Sequence, residues 1–516
     1  MSEVLAELEA IGMESCVSCD SLRETGHTGL RMRLKPQNME PLADRQRLPS
    51  AAHLKRSSER LRLTPKDDEL FFTPWNWANV DGVAVTNAPG AYMKLAWVGG
   101  ASDGDVLISI DSSGWARPFM TLAASVDGNA CHYLTVPAGD ANAVVCVPMQ
   151  PPPSRVQSLA DLTLLEAASE QMGSLMRSNS YAQLPLSSSW HCLSSSDTDD
   201  DDPHRVHTLT VHVHNMLQHA DRWGTASADG GQTSALPAVS LRVRHVELPV
   251  NATSAVRPLL HDHRLLAFGC SITEGTGANY RATGGIAGSG TLRADMASAT
   301  WVTKLASCLG CEYSSVGYGR LGWTISGNGN VPHFVGVPDA SKQQVDGEGS
   351  WNWLWAGKRR TFEELPDLVV VNLGTNDGAY ADKAGSPADV IIAIVAWLEA
   401  ARRHLGPNVD ICLLVPFGGF GGEHRPPHNV FVQAYEDYQA AFMPAEDDRT
   451  HLIDLGEPAA KNLTGYKFDN ETGKFASSRE SADGLHPSVA RHAELGQMVY
   501  EALAPRLPPS LCGAFP

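Results

Sequence analysis

Two hydrophobic patterns divide the chain, and they change near residue 264. From Phe71 onward the apolar residues fall in short runs at 91–98, 106–110, 132–136 and 143–147, separated by Gly, Asp, Asn and Pro. Residues 208–214 and 239–243 alternate apolar and polar at period two. Short strands bounded by turn signals predict an all-β sandwich, jelly-roll-like, over residues 67–250. After a joining stretch at 248–263, strand-type and helix-type segments alternate. The expected strands are 264–269, 312–317, 368–373, 410–416 and 451–455. The expected helices are 297–309, 387–404, 429–441 and 487–504, with Pro387 and Pro487 each suited to a first helical position. This alternation predicts an α/β domain over 264–510, a parallel sheet with helices on both faces.

Three stretches fit neither pattern. Residues 1–66 are polar, of mixed charge and without a sustained period, and read as a disordered extension. Pro151-Pro152-Pro153 opens an insertion in which 158–177 has helical spacing, and 187–202 is rich in Ser and Asp. Both parts, within about 151–205, read as surface excursions of the sandwich. In the alternating run, His212 and His214 share one strand face while Leu209, Val211 and Val213 share the other. That arrangement reads as a solvated polar face rather than a metal patch.

Composition narrows the partners. Of 516 residues, 40 are Lys or Arg and 58 are Asp or Glu, a formal net charge of −18. Such a balance argues against nucleic acid or an anionic membrane surface as the main partner. No apolar run approaches the ~20 residues of a membrane span. The acidic N-terminus has no charged-then-apolar leader, so a cytoplasmic location is the default expectation, with an extracellular one if the true start differs. Cys16/Cys19 and Cys308/Cys311 have metal-type spacing, but nearly 300 residues separate the pairs, and they read as reduced thiols. No metal or organic cofactor is expected. The oligomeric state is left open.

Candidate chemistry sits where the parallel strands end. Leu265-Leu266-Ala267-Phe268-Gly269-Cys270-Ser271-Ile272-Thr273-Glu274-Gly275 is a buried strand turning sharply into a helix, with a serine at the turn. In an open α/β sheet, reactive groups collect at this edge. Taken alone, the stretch reads equally well as an ordinary Gly-Cys-Ser turn. It is not the Gly-x-Ser-x-Gly elbow, because no glycine follows Ser271 at the right place. Leu368 to Leu373 runs into Gly374-Thr375-Asn376-Asp377 in the same manner. Asp483-Gly484-Leu485-His486-Pro487 precedes the last helix; a carboxylate three residues before a histidine can orient its ring, and the same residues can simply cap the helix. A serine needs such a base to act as a nucleophile.

Together these blocks resemble the SGNH (GDSL-type) hydrolase superfamily: Gly-x-Ser, a glycine-rich second block, Gly-x-Asn-Asp, then Asp-x-x-His, in that order. The resemblance implies a three-layer α/β/α domain. It implies Ser271 as nucleophile, His486 as base and Asp483 as its orienting acid. The oxyanion donors it implies are the Ser271 N–H, the Asn376 side chain and a glycine N–H from the loop 317–323, for which Gly322 is preferred and Gly319 is the alternative. Two departures stand out: Cys270 replaces the usual aspartate, and Gly317 stands where an asparagine is usual. More loosely, a β-sandwich ahead of such a domain is similar to two-domain carbohydrate esterases of the acetyl xylan esterase kind. The expectation is therefore a serine esterase removing a small acyl group, acetyl above all, from a carbohydrate or related alcohol. Trp323 and Trp353 are expected to bind substrate. A lipid-directed esterase or thioesterase, and an inert carbohydrate-binding protein, are the alternatives.

Overall fold

The computed structural model describes residues 60–99, 104–115, 120–129, 131–149, 205–224, 236–278, 295–336, 349–380, 383–417, 428–441, 447–455, 468–469, 474–475 and 485–512. Ser58–Pro516 forms one compact unit. The expected extension, up to residue 59, and the insertions at 151–204 lie outside the described residues.

Twelve strands precede the α/β half: β1 (Arg62–Leu63), β2 (Leu70–Phe72), β3 (Ala78–Val80), β4 (Val83–Thr86), β5 (Tyr92–Gly99), β6 (Val106–Ile110), β7 (Met120–Val126), β8 (His132–Thr135), β9 (Ala143–Val147), β10 (Val206–Met216), β11 (Leu241–Glu247) and β12 (Ala252–Val256). They form two antiparallel sheets. One has the order β3-β4-β11-β6-β9, with β1 beside β11; the other has the order β12-β5-β10-β7-β8, with β2 beside β5. Residues from both sheets, among them Leu95, Trp97, Ile108, Leu122, Val211 and Val243, share one buried cluster, so the sheets pack face to face. β1 falls inside the stretch read as an extension. Two residues show no period, and what holds them is tertiary: Leu63 is buried and Arg62 pairs with Glu247 at 2.9 Å.

The α/β half contributes β13 (His263–Gly269), β14 (Cys311–Gly317), β15 (Trp353–Trp355), β16 (Lys358–Arg359), β17 (Leu368–Asn372), β18 (Asp410–Leu414) and β19 (Thr450–Ile453). Its α-helices are α1 (Ser271–Glu274), α2 (Trp301–Leu309), α3 (Thr375–Ala379), α4 (Pro387–Leu405), α5 (His428–Ala441) and α6 (Val489–Leu503). The sheet order is β14-β13-β17-β18-β19, parallel throughout. α2 packs with α6 and α4 with α5, as right-handed crossovers running outward from β13 in both directions require. α4 begins as expected: Pro387 follows Ser386, whose hydroxyl and Asp389 form a capping box. α6 does not begin at Pro487. Ser488 is its cap, accepting from the Arg491 N–H, and Pro487 stands one residue outside.

The expectation of a solvated face on β10 is overturned. His212 and His214 are buried at 7% and 5% exposure. In-register pairing puts His212 beside Tyr92 of β5, and this face is covered by the α/β half. His214 Nδ1 lies 2.7 Å from Ser298 Oγ, and His212 Nδ1 lies 3.3 Å from the Tyr313 hydroxyl. Lys94, on the same face, donates to both carboxylate oxygens of Glu312 on β14, at 2.7 and 2.8 Å. The Tyr92 hydroxyl also donates to Glu312 and accepts the Tyr313 N–H at 3.1 Å. Polarity alone does not make a strand face wet: here a second polar surface, paired to it group by group, replaces the water.

Candidate active site

β13 ends in the turn that sets Ser271. Its fully buried Leu265 to Phe268 fix the strand, and Cys270 takes an extended conformation as the cap of α1. Gly275 closes that single turn at φ 79, a left-handed value that suits glycine. The Cys270 side chain is fully buried, and burial raises its thiol pKa, so it is a packed group rather than a reactive one. Cys308 and Cys311 are likewise thiols held locally: Cys308 Sγ lies 3.3 Å from Gln497 Oε1, and Cys311 Sγ lies 3.8 Å from the Leu309 carbonyl.

His486 reaches this turn from the segment before α6. Its Nε2 lies 2.8 Å from Ser271 Oγ, although 215 residues separate the two in sequence. Both side chains are 7% exposed, so the pair is sheltered without being sealed. A neutral imidazole accepting the serine hydroxyl in this way can take its proton. His492, one turn into α6 and fully buried, accepts the Trp301 N–H at 3.3 Å. Burial, with the charge of His486 adding to it, pushes its pKa down to about 3, so it stays neutral near the base. Asp483 lies outside the described residues.

Asn376 sits at the start of α3, 4% exposed, and its Nδ2 donates to the Leu321 carbonyl at 2.9 Å. The amide is thus tied to the glycine-rich loop with one N–H. The glycines of that loop are not free donors. The Gly322 N–H donates to the Ile325 carbonyl at 3.0 Å, and the Gly319 N–H donates to Glu274 Oε2 at 2.7 Å. Both candidate glycine N–H groups, the preferred Gly322 and the alternative Gly319, are thus engaged within this structure. Neither glycine has a positive φ; Arg320 between them does, at 64°. Both are glycine for lack of room, since a Cβ at Gly322 would overlap the Asp377 carboxylate and one at Gly319 would overlap Gln218. Gly317, in the place of the usual asparagine, is crowded by the Glu274 backbone.

Trp323 is not a substrate wall. It is fully buried, with ring centroids 5.4 Å from Phe334 and 5.9 Å from Trp397. Expected to bind substrate, it instead plugs the core beneath the loop. Trp323→Phe should lower Tm by several degrees, a loss of about 1–3 kcal/mol, while KM stays put; a raised KM at unchanged Tm would return Trp323 to the binding surface. Trp353 is half-buried in the β15–β16 hairpin, and the Arg359 guanidinium lies 4.8 Å from its ring centroid. Trp351 and Trp355 are buried.

Residues 267–493 match the GDSL-like lipase/acylhydrolase family. This region is a GDSL-like hydrolase domain. The chain is accordingly a carboxylic ester hydrolase, with Ser271 and His486 inside the matched region. No curated protein matches it by sequence. Solved structures with a similar fold include a family two carbohydrate esterase from Cellvibrio japonicus, at 12% identity and TM-score 0.54, covering 87% of this chain and 98% of that one. A family two carbohydrate esterase from Clostridium thermocellum, in complex with cellohexaose, matches at 14% identity and TM-score 0.53, covering 85% and 98%. An acetyl xylan esterase from the rumen bacterium Butyrivibrio proteoclasticus matches at 12% identity and TM-score 0.53, covering 87% and 98%. The shared fold therefore extends well beyond the GDSL-like domain, through the β-sandwich. No helix among the described residues is long and apolar enough to cross a membrane.

Around the GDSL-like site two acidic residues carry roles that sequence reasoning did not assign. Asp377 is buried and accepts the Trp323 N–H at 2.9 Å, the Thr324 N–H at 2.8 Å and the Thr324 hydroxyl at 2.7 Å. Burial raises its pKa, and these bonds oppose the rise. Glu274, 2% exposed, accepts from Arg222 of the sandwich half at 2.7 Å. The signal for Glu274 was present: an acidic residue three places after the serine, in a helical turn that must be buried.

Proposed function

We propose that this protein is a serine esterase that removes a small acyl group, acetyl above all, from a carbohydrate or related alcohol. The observation that carries it is the 2.8 Å approach of His486 Nε2 to Ser271 Oγ at the C-terminal edge of the parallel sheet. Ser271 attacks the ester carbonyl while His486 takes its proton. Asp483 orients His486 and stabilises the imidazolium. The developing oxyanion is met by the Ser271 N–H and by the second N–H of the Asn376 amide; Gly322 joins them only by giving up its bond to Ile325. The tetrahedral adduct collapses as His486 returns the proton to the leaving alcohol. Water, activated by the same histidine, then cleaves the acyl-enzyme.

The carbohydrate reading is supported by the neighbours, which are carbohydrate esterases by name, one of them an acetyl xylan esterase. The sandwich fits a jelly-roll-like reading, because successive strands pass between its two sheets rather than filling one first. Small-acyl preference rests on the loops expected to wall the site. Residues 282–294, 339–348 and 418–425 lie outside the described residues, but their sequence is polar and glycine-rich, with little Leu or Ile. A buried methylene adds about 0.8 kcal/mol only where an apolar surface receives it. On p-nitrophenyl esters, kcat/KM should therefore fall steeply from acetyl through butyryl to octanoyl, and an acetylated glycoside should release acetate. A rate climbing toward octanoyl would favour a lipid-directed esterase. Sugar affinity without turnover would favour an inert binding protein.

A further inference from the structure

We propose that Glu274 is a positioning residue for ester hydrolysis, and that the β-sandwich supplies the cation that keeps it in place. The inference rests on the esterase reading above and deepens it. Glu274 lies three residues after Ser271 on α1, and its carboxylate is nearly sealed from solvent. A lone charge in such a place would be costly to bury without a partner. Arg222, fully buried in the segment after β10, donates to Oε1 at 2.7 Å, and Gln218 of the same segment donates to Oε2 at 3.0 Å. Thus balanced, Oε2 accepts the Gly319 N–H at 2.7 Å, a length typical of a charge-assisted bond.

This bond anchors the loop one residue before its most constrained position. Arg320 is held at φ 64, a region that a non-glycine residue occupies only when its surroundings impose it. The next carbonyl, Leu321, accepts from Asn376 Nδ2 at 2.9 Å and so sets the plane of the amide that faces the oxyanion. Beyond it, the Trp323 and Thr324 N–H groups are held by Asp377. Two carboxylates therefore clamp the two ends of one loop. One follows the nucleophile on α1; the other is the immediate neighbour of Asn376 on α3. The loop's distance and angle to both are fixed by the elements that carry the reacting groups, and the sandwich holds the first clamp closed through Arg222.

The test uses the full chain, with active sites counted by organophosphate labelling so that misfolded protein drops out. With p-nitrophenyl acetate, Glu274→Ala should lower kcat per labelled site by about 10- to 100-fold, the cost of a misplaced donor, with KM changed by less than about threefold. Glu274→Gln keeps an acceptor for Gly319 but loses the charge, and should fall by roughly tenfold at most while remaining below wild type. It also decides the matter if the alanine variant does not fold. Wild-type kcat per labelled site in whichever variant folds, with only Tm lowered, would reduce the pair to a structural ion pair and overturn the proposal. Absence of turnover or of Ser271 labelling in the wild-type protein would instead sink the esterase reading itself.

Discussion

Ser271→Ala is expected to lower kcat by about four to six orders of magnitude while the protein stays folded. The hydroxyl lies 2.8 Å from His486 Nε2, and it stands at the end of β13 rather than within its apolar core. Removing it takes away a single hydroxyl and no apolar packing, so Tm should move little. At about 1.4 kcal/mol per decade, the loss corresponds to roughly 5–8 kcal/mol of transition-state stabilisation. His486→Ala should cost about as much, and the double variant little more than either single one, because the two act as one unit. Steady-state kcat with p-nitrophenyl acetate, together with the site of organophosphate attachment, checks this. Label on another residue, or wild-type rates in the alanine variant, would remove Ser271 from the chemistry.

Acid should destabilise the protein well above the range where carboxylates titrate. Burial holds the pKa of His212 down to about 3, with the Lys94 charge and His214 pushing the same way. Burial also holds His214 down to about 4 and His492 to about 3. In the unfolded chain all three would titrate near ~6.5. Between those limits the unfolded state binds protons that the folded state refuses. Their contribution is therefore complete above about pH 6.5 and is lost as pH falls toward about 4. At about pH 5.5 each histidine costs about 1.4 kcal/mol, roughly 4 kcal/mol for the three, a large share of the ~5–15 kcal/mol typical of a folded domain. Thermal melts from pH 8 to 5 should show Tm steady down to about 7 and then falling steeply. His212 stacks against Tyr313 and tilts against Tyr92, so His212→Phe keeps the ring contacts and removes one titration. Its melting curve should be about a third less sensitive to pH. A Tm unchanged between about pH 7.5 and 5.5 would contradict the buried neutral histidines.

The parallel sheet was legible because its strands are buried on both faces and so read as unbroken apolar runs; Leu368 to Val371 announces itself. Each of its five strands was placed within about two residues of where it lies. Ser271 and His486 were legible for a related reason: each sits where such a run, or the approach to a helix, breaks into small and polar residues. β7 was missed because three of the seven residues in Met-Thr-Leu-Ala-Ala-Ser-Val are alanine or serine, and it lacks the β-branched weight of a strand. The sandwich face carrying Tyr92, Lys94, His212 and His214 was misread because periodicity reports which side is polar, not whether water or protein stands opposite. Its partner Glu312 is more than 200 residues distant from Lys94, beyond the reach of any local pattern. That the Gly322 N–H is engaged by the Ile325 carbonyl was not legible either, because counting along a glycine-rich loop does not say how the loop folds back on itself.

β14 forms one margin of the parallel sheet, and the sandwich lies against it through Glu312, Tyr313 and Ser314. An unguarded margin of this kind offers its backbone to any passing strand. Here the guard is a whole module of the same chain, fastened by an ion pair with almost no solvent around it. The consequence concerns portability. Excised at residue 260, the hydrolase half would carry a bare carboxylate and an open hydrogen-bonding rim into solution, and it would also lose Arg222 and Gln218. Such a fragment invites self-association, so gene fusion, domain exchange and library design on this scaffold have to treat the two halves as a single inherited piece.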